Sequence, residues 1–516
     1  MADKIDKVIV TNLGALRTKY RQKFSMIQKA ITALITADQK RGLRAQLVAV
    51  DDSTTMRRFS ARPVARTDDP AQNKAAVDAI YKALAPDYLM ILGSIDVVPH
   101  QDLKNPLYGN TDPDPMALGD IPYACEAPYS KQPQDFVGPT RVVGRLPDIT
   151  NSTDPAYIVN LLNNAASYKP LSQTDFTKYF AVSAQIWQKS SDLSVVKTFG
   201  NDQSLHDVPP DNSEWSSDEL RRMAHFFNCH GASLYAQFFG QPADGSQNFP
   251  VALDAEYLDG KTPNGAVAAA ECCYGGQLYD PAQCLSRPGQ AGICNTYLGN
   301  GAWGFLGSTT IAYGPPEGNA QADLMCQYFL QSVLTGASLG RATLEARQQF
   351  VAASFPPDPS DIKTLAQFNL YGDPSITPVH TAQAVLPSGV KSLAPYSAER
   401  SDRHDRRRFL FRHGISLTEQ TPVPRRAAKA RPSILNGLKL KSRELGMEPG
   451  ETLVFTIRHH PRPKSMPNGL ATTKSMATGF HVLFAQRMED TQTDTGPRII
   501  RIERLSERKS MVSLCP

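Results

Sequence analysis

The stretch "AVAAAECCYGGQLYD" (266–280) brings an apolar run of small residues to two adjacent cysteines and then to two glycines. An apolar run without polar alternation reads as a strand buried on both faces, as in a parallel sheet covered by helices. A second stretch, "AHFFNCHGASLYA" (224–236), repeats the construction, and here the strand runs into His230-Gly231. Loops that leave the carboxyl ends of neighbouring parallel strands share one crevice. A thiol and an imidazole delivered there make a nucleophile with a base beside it. The glycines let a substrate backbone approach closely and leave N–H groups free to hold an oxyanion.

The pattern extends in both directions. "RGLRAQLVAVDD" (41–52), "YLMILGSIDVVP" (88–99), "TRVVGRLPDIT" (140–150), "YFAVSA" (179–184) and "AWGFLGS" (302–308) read as further buried strands. "AAVDAIYKALAP", stopped by Pro86, and residues 154–168, 319–335 and 338–353 read as helices between them. Residues 1–40 place apolar and charged positions at helical spacing, which predicts one or two amphipathic helices. The α/β pattern ends near "FNLYGDPSITP" (368–378), where Asp373 reads as a turn residue. From about residue 385 "SAERSDRHDRRRFLFRHG" and "TPVPRRAAKARPS" read as a basic linker. "ETLVFTIRHH", "GFHVLFAQRME" and "PRIIRIERL" then predict a small β unit. The expected organisation is an N-terminal α/β subdomain (1–150), a catalytic subdomain (151–384), a linker (385–432) and a small basic C-terminal region (433–516).

Composition narrows the function. With 41% hydrophobic and 20% charged residues among 516, the chain is that of a folded protein of two or more units. No window is apolar enough to span a membrane, and the N-terminus lacks a secretory pattern, so the cytoplasm is the expected compartment. The eight cysteines show no disulfide spacing. Cys229, His230, Cys272 and Cys273 are conceivable zinc ligands, but strand neighbours point to opposite faces, and structural zinc sites space their ligands by two to four residues. A dyad fits these residues better than a metal site or four inert side chains. Residues 391–516 carry a net charge of +12 and the remainder −7, which makes the basic region a candidate contact for an acidic partner or nucleic acid. His459-His460 reads as part of a solvated basic loop. Asp96 and Asp120 fall in exit loops and are candidates for shaping a pocket.

Strand-His-Gly followed by strand, small residue, Cys-x-Gly resembles the signature of the caspase-like cysteine peptidases: caspases, legumains and gingipains. The gingipain branch fits best. "RGLRAQLVAVDD", "YLMILGSIDVVP", "TRVVGRLPD", "GAWGFLGSTT" and "LAQFNLYGDPSI" resemble gingipain catalytic-domain blocks in the same order, over roughly residues 35–380. The resemblance implies a caspase-like three-layer α/β sandwich on a mostly parallel sheet, followed here by the small basic β-rich region. It also implies endopeptidase activity on protein or peptide substrates, with no cofactor.

Within that resemblance, Cys272 takes the small position and Cys273 the nucleophile's, with Gly275 and Gly276 at the expected spacings after it. His230 assists the thiol, and the N–H groups of Gly231 and Cys273 hold the oxyanion. "GSTTIAYG" (307–314) is similar to the substrate-pairing strand, which makes Ser308, Thr309, Thr310 and Ile311 candidate subsite residues. Gln185 stands where gingipains carry a glutamate that orients the histidine, so it is the expected orienting residue. An amide there also admits a catalytically weak or inactive caspase-like scaffold, and the basic tail admits a binding protein. The Arg-rich linker is the expected place of self-cleavage, between about Arg400 and Arg431.

Overall fold

The structure, a computed structural model, describes residues 4–109, 112–354 and 357–380, and beyond them only strand segments between 421 and 515. The chain divides into two compact units, Met1–Ala394 and Pro395–Pro516. In the second, the strands Thr452–Arg458, Phe480–Gln486, Arg498–Arg504 and Ser510–Cys515 form an antiparallel sheet, with Thr421–Pro422 at its edge. The linker apart from Thr421–Pro422, its expected cleavage and His459-His460 lie outside the described residues, as do the side chains of the basic region.

The first unit is organised by one ten-stranded sheet. Its order is Ala45–Ala49, Lys7–Thr11, Tyr88–Leu92, Val143–Leu146, Phe368–Gly372, Gly304–Ser308, Val267–Ala270, Ala224–Asn228, Tyr179–Ala184, Leu205–Val208. Every neighbouring pair is parallel except one: Phe368–Gly372 runs antiparallel to Gly304–Ser308. Two parallel half-sheets of opposite direction therefore meet at Phe368–Gly372, the strand of this sheet that comes last in the chain. The carboxyl ends of the N-terminal half open at one edge and those of the second half at the other.

Helices cover both faces. Phe305 turns its ring to Tyr297 of helix Ile293–Gly299, with centroids 5.4 Å apart, while a Cβ on neighbouring Gly304 would meet Leu339 of helix Leu339–Ala353 at 2.9 Å. Adjacent strand residues point to opposite faces, so these two helices lie on opposite sides and the unit has three layers. The strand cores Val8–Val10, Leu89–Leu92 and Val267–Ala270 are fully buried, as the unalternating apolar runs require.

The N-terminal expectation is corrected here. Residues 7–11 are not helical but form an inner strand of the sheet, "KVIVT". Four consecutive β-branched side chains, each restricted at χ1 and buried on one face or the other, favour the strand. Helix begins only after Asn12, whose side chain accepts from the Ala15 N–H at 2.9 Å.

Candidate active site

Strands Ala224–Asn228 and Val267–Ala270 are parallel neighbours, with Phe227 opposite Ala270 and the Glu271 N–H donating to Phe227 O at 2.8 Å. That register brings Cys229-His230 and Cys272-Cys273 out side by side. Alternation then sorts them. Cys229 and Cys272 turn into the core as free thiols, Cys229 Sγ donating to Val182 O at 3.6 Å, whereas His230 and Cys273 are half-buried at the edge. Burial pushes the Cys272 thiol well above its ordinary pKa, so this cysteine stays a neutral, enclosed side chain.

The turn after Cys273 is tight. Tyr274 takes a left-handed conformation (φ 56°), which a residue with a Cβ adopts at a cost of about 1–3 kcal/mol. The Tyr274 N–H donates to Thr310 O at 3.0 Å and the Gly276 N–H to Ser308 O at 2.7 Å, fixing the turn to the neighbouring strand exit. Gly276 is required by space, because a Cβ there would lie 2.7 Å from Gly307 O. The Cys273 Sγ accepts from the Ala312 N–H at 3.3 Å and from the Gly231 N–H. Burial raises the thiol's pKa, while these two N–H groups and the Lys363 ammonium pull it down without reversing the rise.

His230 leaves the sheet on a two-residue strand, His230–Gly231, paired with Gln237–Phe239. Its Nε2 lies 2.8 Å from Gln241 Oε1. The Gln241 amide is oriented by its other end, since its NH2 donates to Gly245 O and Ser246 O, both at 3.2 Å. Its oxygen must therefore face the ring, and Nε2 carries the proton. Nδ1 is left as the basic nitrogen. Burial lowers the His230 pKa below 6.5, opposed by the Gln241 hydrogen bond, so at neutral pH thiol and imidazole rest uncharged. Trp187 lies against the imidazole at a centroid distance of 4.4 Å, and Phe249 meets it edge-on at 5.2 Å.

The amide bonded to the His230 ring is thus that of Gln241, and Gln185, expected in that place, stands one step back. The Gln185 Oε1 accepts from the Ala243 N–H at 3.0 Å, and the Ile186 N–H donates to Gln241 O at 3.1 Å. The strand exit at 185–186 holds the loop, and the loop holds the histidine. Of the other candidates, Gly231 packs so closely on the Cys273 backbone that a Cβ would lie 1.9 Å from Cys273 O. Ser308, Thr309 and Thr310 are buried, with Ser308 Oγ donating to Thr310 O and the two threonines bonded to Gln367, so their hydroxyls face the interior. Ile311 is half-buried, its N–H donating to Asp114 Oδ2 at 2.9 Å, and Ala312 beside it reaches the thiol.

Sequence reasoning missed the long excursion between strands 88–92 and 143–146, which enters at the same edge. Its Asp114 also accepts from Tyr274 OH at 2.8 Å, and Asp112 accepts from Tyr313 OH at 2.7 Å and pairs with the buried Lys363. The sequence there, "DPDP" (112–115), has too few acids at the right spacing for a calcium loop, and nothing in it signals this role. Asp120 is buried in a network with Arg145 (2.6 and 2.8 Å) and His100 (3.0 Å) rather than lining a pocket. Asp96 pairs with Lys19 at the opposite edge, because the half-sheets run in opposite directions. Asp373 makes its turn with Ser375 and also pairs with buried Lys7.

Among solved structures, the chain is similar to the Arg-specific cysteine proteinase gingipain R at 11% identity, covering 73% of this chain and 79% of that one with a TM-score of 0.48. A structure described only as a protease matches at 12% identity over 99% of this chain and 96% of that one, with a TM-score of 0.46. The complex of Porphyromonas gingivalis RgpB pro- and mature domains matches at 11% identity over 73% and 80%, with a TM-score of 0.45. No curated protein matches the chain. Family membership rests instead on sequence: the profile of Peptidase family C25 matches residues 3–379, which hold the whole sheet and both halves of the site. The chain is a cysteine peptidase and belongs to peptidase family C25.

Proposed function

We propose that Cys273 is the nucleophile and His230 the base of a Cys-His dyad that cleaves peptide bonds. The observation that carries this reading is the clamped Gln241 amide, which gives the ring at the Cys273 edge a fixed tautomer with Nδ1 as the free base. In the acylation step Nδ1 takes the thiol proton as Sγ bonds to the substrate carbonyl carbon. The carbonyl π pair moves onto oxygen, and the N–H groups of Gly231 and Cys273 stabilise the resulting oxyanion. The Gly231 N–H that holds the resting sulfur is within reach of an oxygen on the carbon bonded to that sulfur. The imidazolium then gives its proton to the leaving nitrogen as the C–N bond breaks, leaving a thioester. Water attacks the thioester with Nδ1 again taking the proton, and the carboxylate product and free thiol are released.

A neutral amide stabilises the transient imidazolium less than a carboxylate would, which favours a moderate turnover. The test is turnover of a susceptible peptide, with circular dichroism as the folding check. Cys273→Ala and His230→Ala abolish turnover, and Cys272→Ala retains most of it. An inactive Cys272→Ala beside an active Cys273→Ala reverses the assignment, and activity in both removes the dyad.

A further inference from the structure

The imidazole that protonates the leaving amine necessarily faces the residue on the far side of the scissile bond, because that residue carries the amine. Side chains packed around His230 on the solvent side therefore border the leaving fragment. Two aromatic residues do so. Trp187 ends the short helical turn Gln185–Trp187 and is half-buried against the imidazole, while Phe249 comes from the loop that follows Gln241. Phe249 is 43% exposed although it stands in a folded edge next to the base, and residues 243, 244 and 246–248 before it are exposed polar or small residues. The sheet core does not use this ring. The charged groups near the thiol, Asp112, Asp114 and Lys363, are bonded to one another, to Tyr274, to Tyr313 and to the Ile311 N–H.

Resting on the dyad reading, we propose that Trp187 and Phe249 form the wall of the subsite for the first residue of the leaving fragment and select an apolar side chain there. An apolar group seated on Phe249 removes exposed ring and its own surface from water together. A charged one would lose hydration against two rings that carry no opposite charge to replace it. Discrimination in such a site amounts to about 10-fold or somewhat more per side chain.

The test is digestion of a mixed peptide library, with mass-spectrometric sequencing of the new N-termini, which report the residue after the cut bond. Wild-type enzyme is expected to enrich Leu, Ile, Val, Met and Phe there about fivefold or more over Asp, Glu, Lys and Gly. Phe249→Ala flattens that preference to about twofold, and Phe249→Leu restores much of it, while the preference before the cut bond is the same in all three. An unbiased wild-type profile, or a Phe249→Ala profile as biased as wild type, overturns the subsite. A change confined to the residue before the bond overturns it as well. If Cys273→Ala cuts the library, the dyad fails, and the subsite with it.

Discussion

Gly231→Ala isolates the closeness of the two strand exits. The glycine is not in a left-handed conformation, so alanine adds no backbone strain; it adds one methyl group. That methyl would lie 1.9 Å from Cys273 O and 3.0 Å from Cys273 C, and both are backbone atoms that no rotamer change can move. Relief to an ordinary contact needs a relative displacement of about 1 Å or more between the His230 and Cys273 segments, and a misplacement of that size costs about 100-fold in rate. The same shift withdraws the Gly231 N–H from the oxyanion, and loss of one such donor alone is worth about 100- to 1,000-fold. The expected result is a fall in kcat/KM of about 100-fold or more, carried mainly by kcat, with an unchanged circular dichroism spectrum. The assay is steady-state cleavage of one internally quenched peptide, with each preparation normalised by thiol titration. A variant within fivefold of wild type would refute the close approach on which the site is built.

The pH profile follows from two directions. Burial lowers the His230 pKa below 6.5, so the base is lost only as pH falls through that lowered value; the thiol, raised from 9.0, sets an alkaline rise or plateau above it. An acid limb in kcat/KM centred above pH 6.5 contradicts the assignment. Gln241→Glu places a carboxylate on Nε2, favours the imidazolium and moves that limb up by about one pH unit, while Gly245 O and Ser246 O lose their donor; an unmoved limb removes Gln241 from the histidine. Glu271 is buried beside Asp323 with its pKa raised well above 4.5 by that burial and by the neighbouring charge. Such an acid holds its proton more tightly folded than unfolded, so its contribution is full below pH 4.5 and declines as pH rises toward the folded value. Glu271→Gln therefore raises the Tm more at pH 8 than at pH 5, and an equal shift at both would refute the protonated pair.

The decisive pair of exits was legible because two physical rules act locally. Buried runs such as "AVAAAE" cannot be amphipathic helices of that length, and alternation alone puts Cys272 inward when Cys273 faces the edge. "KVIVT" was misread because the charged, helically spaced residues that follow it dominate any window long enough to test periodicity. Gln241 was illegible for a different reason. It acts by the direction of an amide that two carbonyls of its own loop, Gly245 O and Ser246 O, clamp, and no residue type signals that arrangement. Gln185 lies one hydrogen-bonded step from the loop that carries Gln241; strand ends are readable and the loops they hold are not.

The reversal in the middle of the sheet also bears on how the molecule is made. Among the described residues Phe368–Gly372 is the last strand of its unit along the chain, yet it is the seam between Val143–Leu146 and Gly304–Ser308. A ribosome delivers the two half-sheets first and the seam last. Until it arrives, the N-terminal half, which supplies Asp112 and Asp114, has no sheet neighbour in the half that carries Cys273 and His230. Lys363 and Gln367, which tie down the Asp112 and Thr310 side of the site, emerge just ahead of that seam. Assembly of the proposed site is thereby timed to the end of synthesis of this unit.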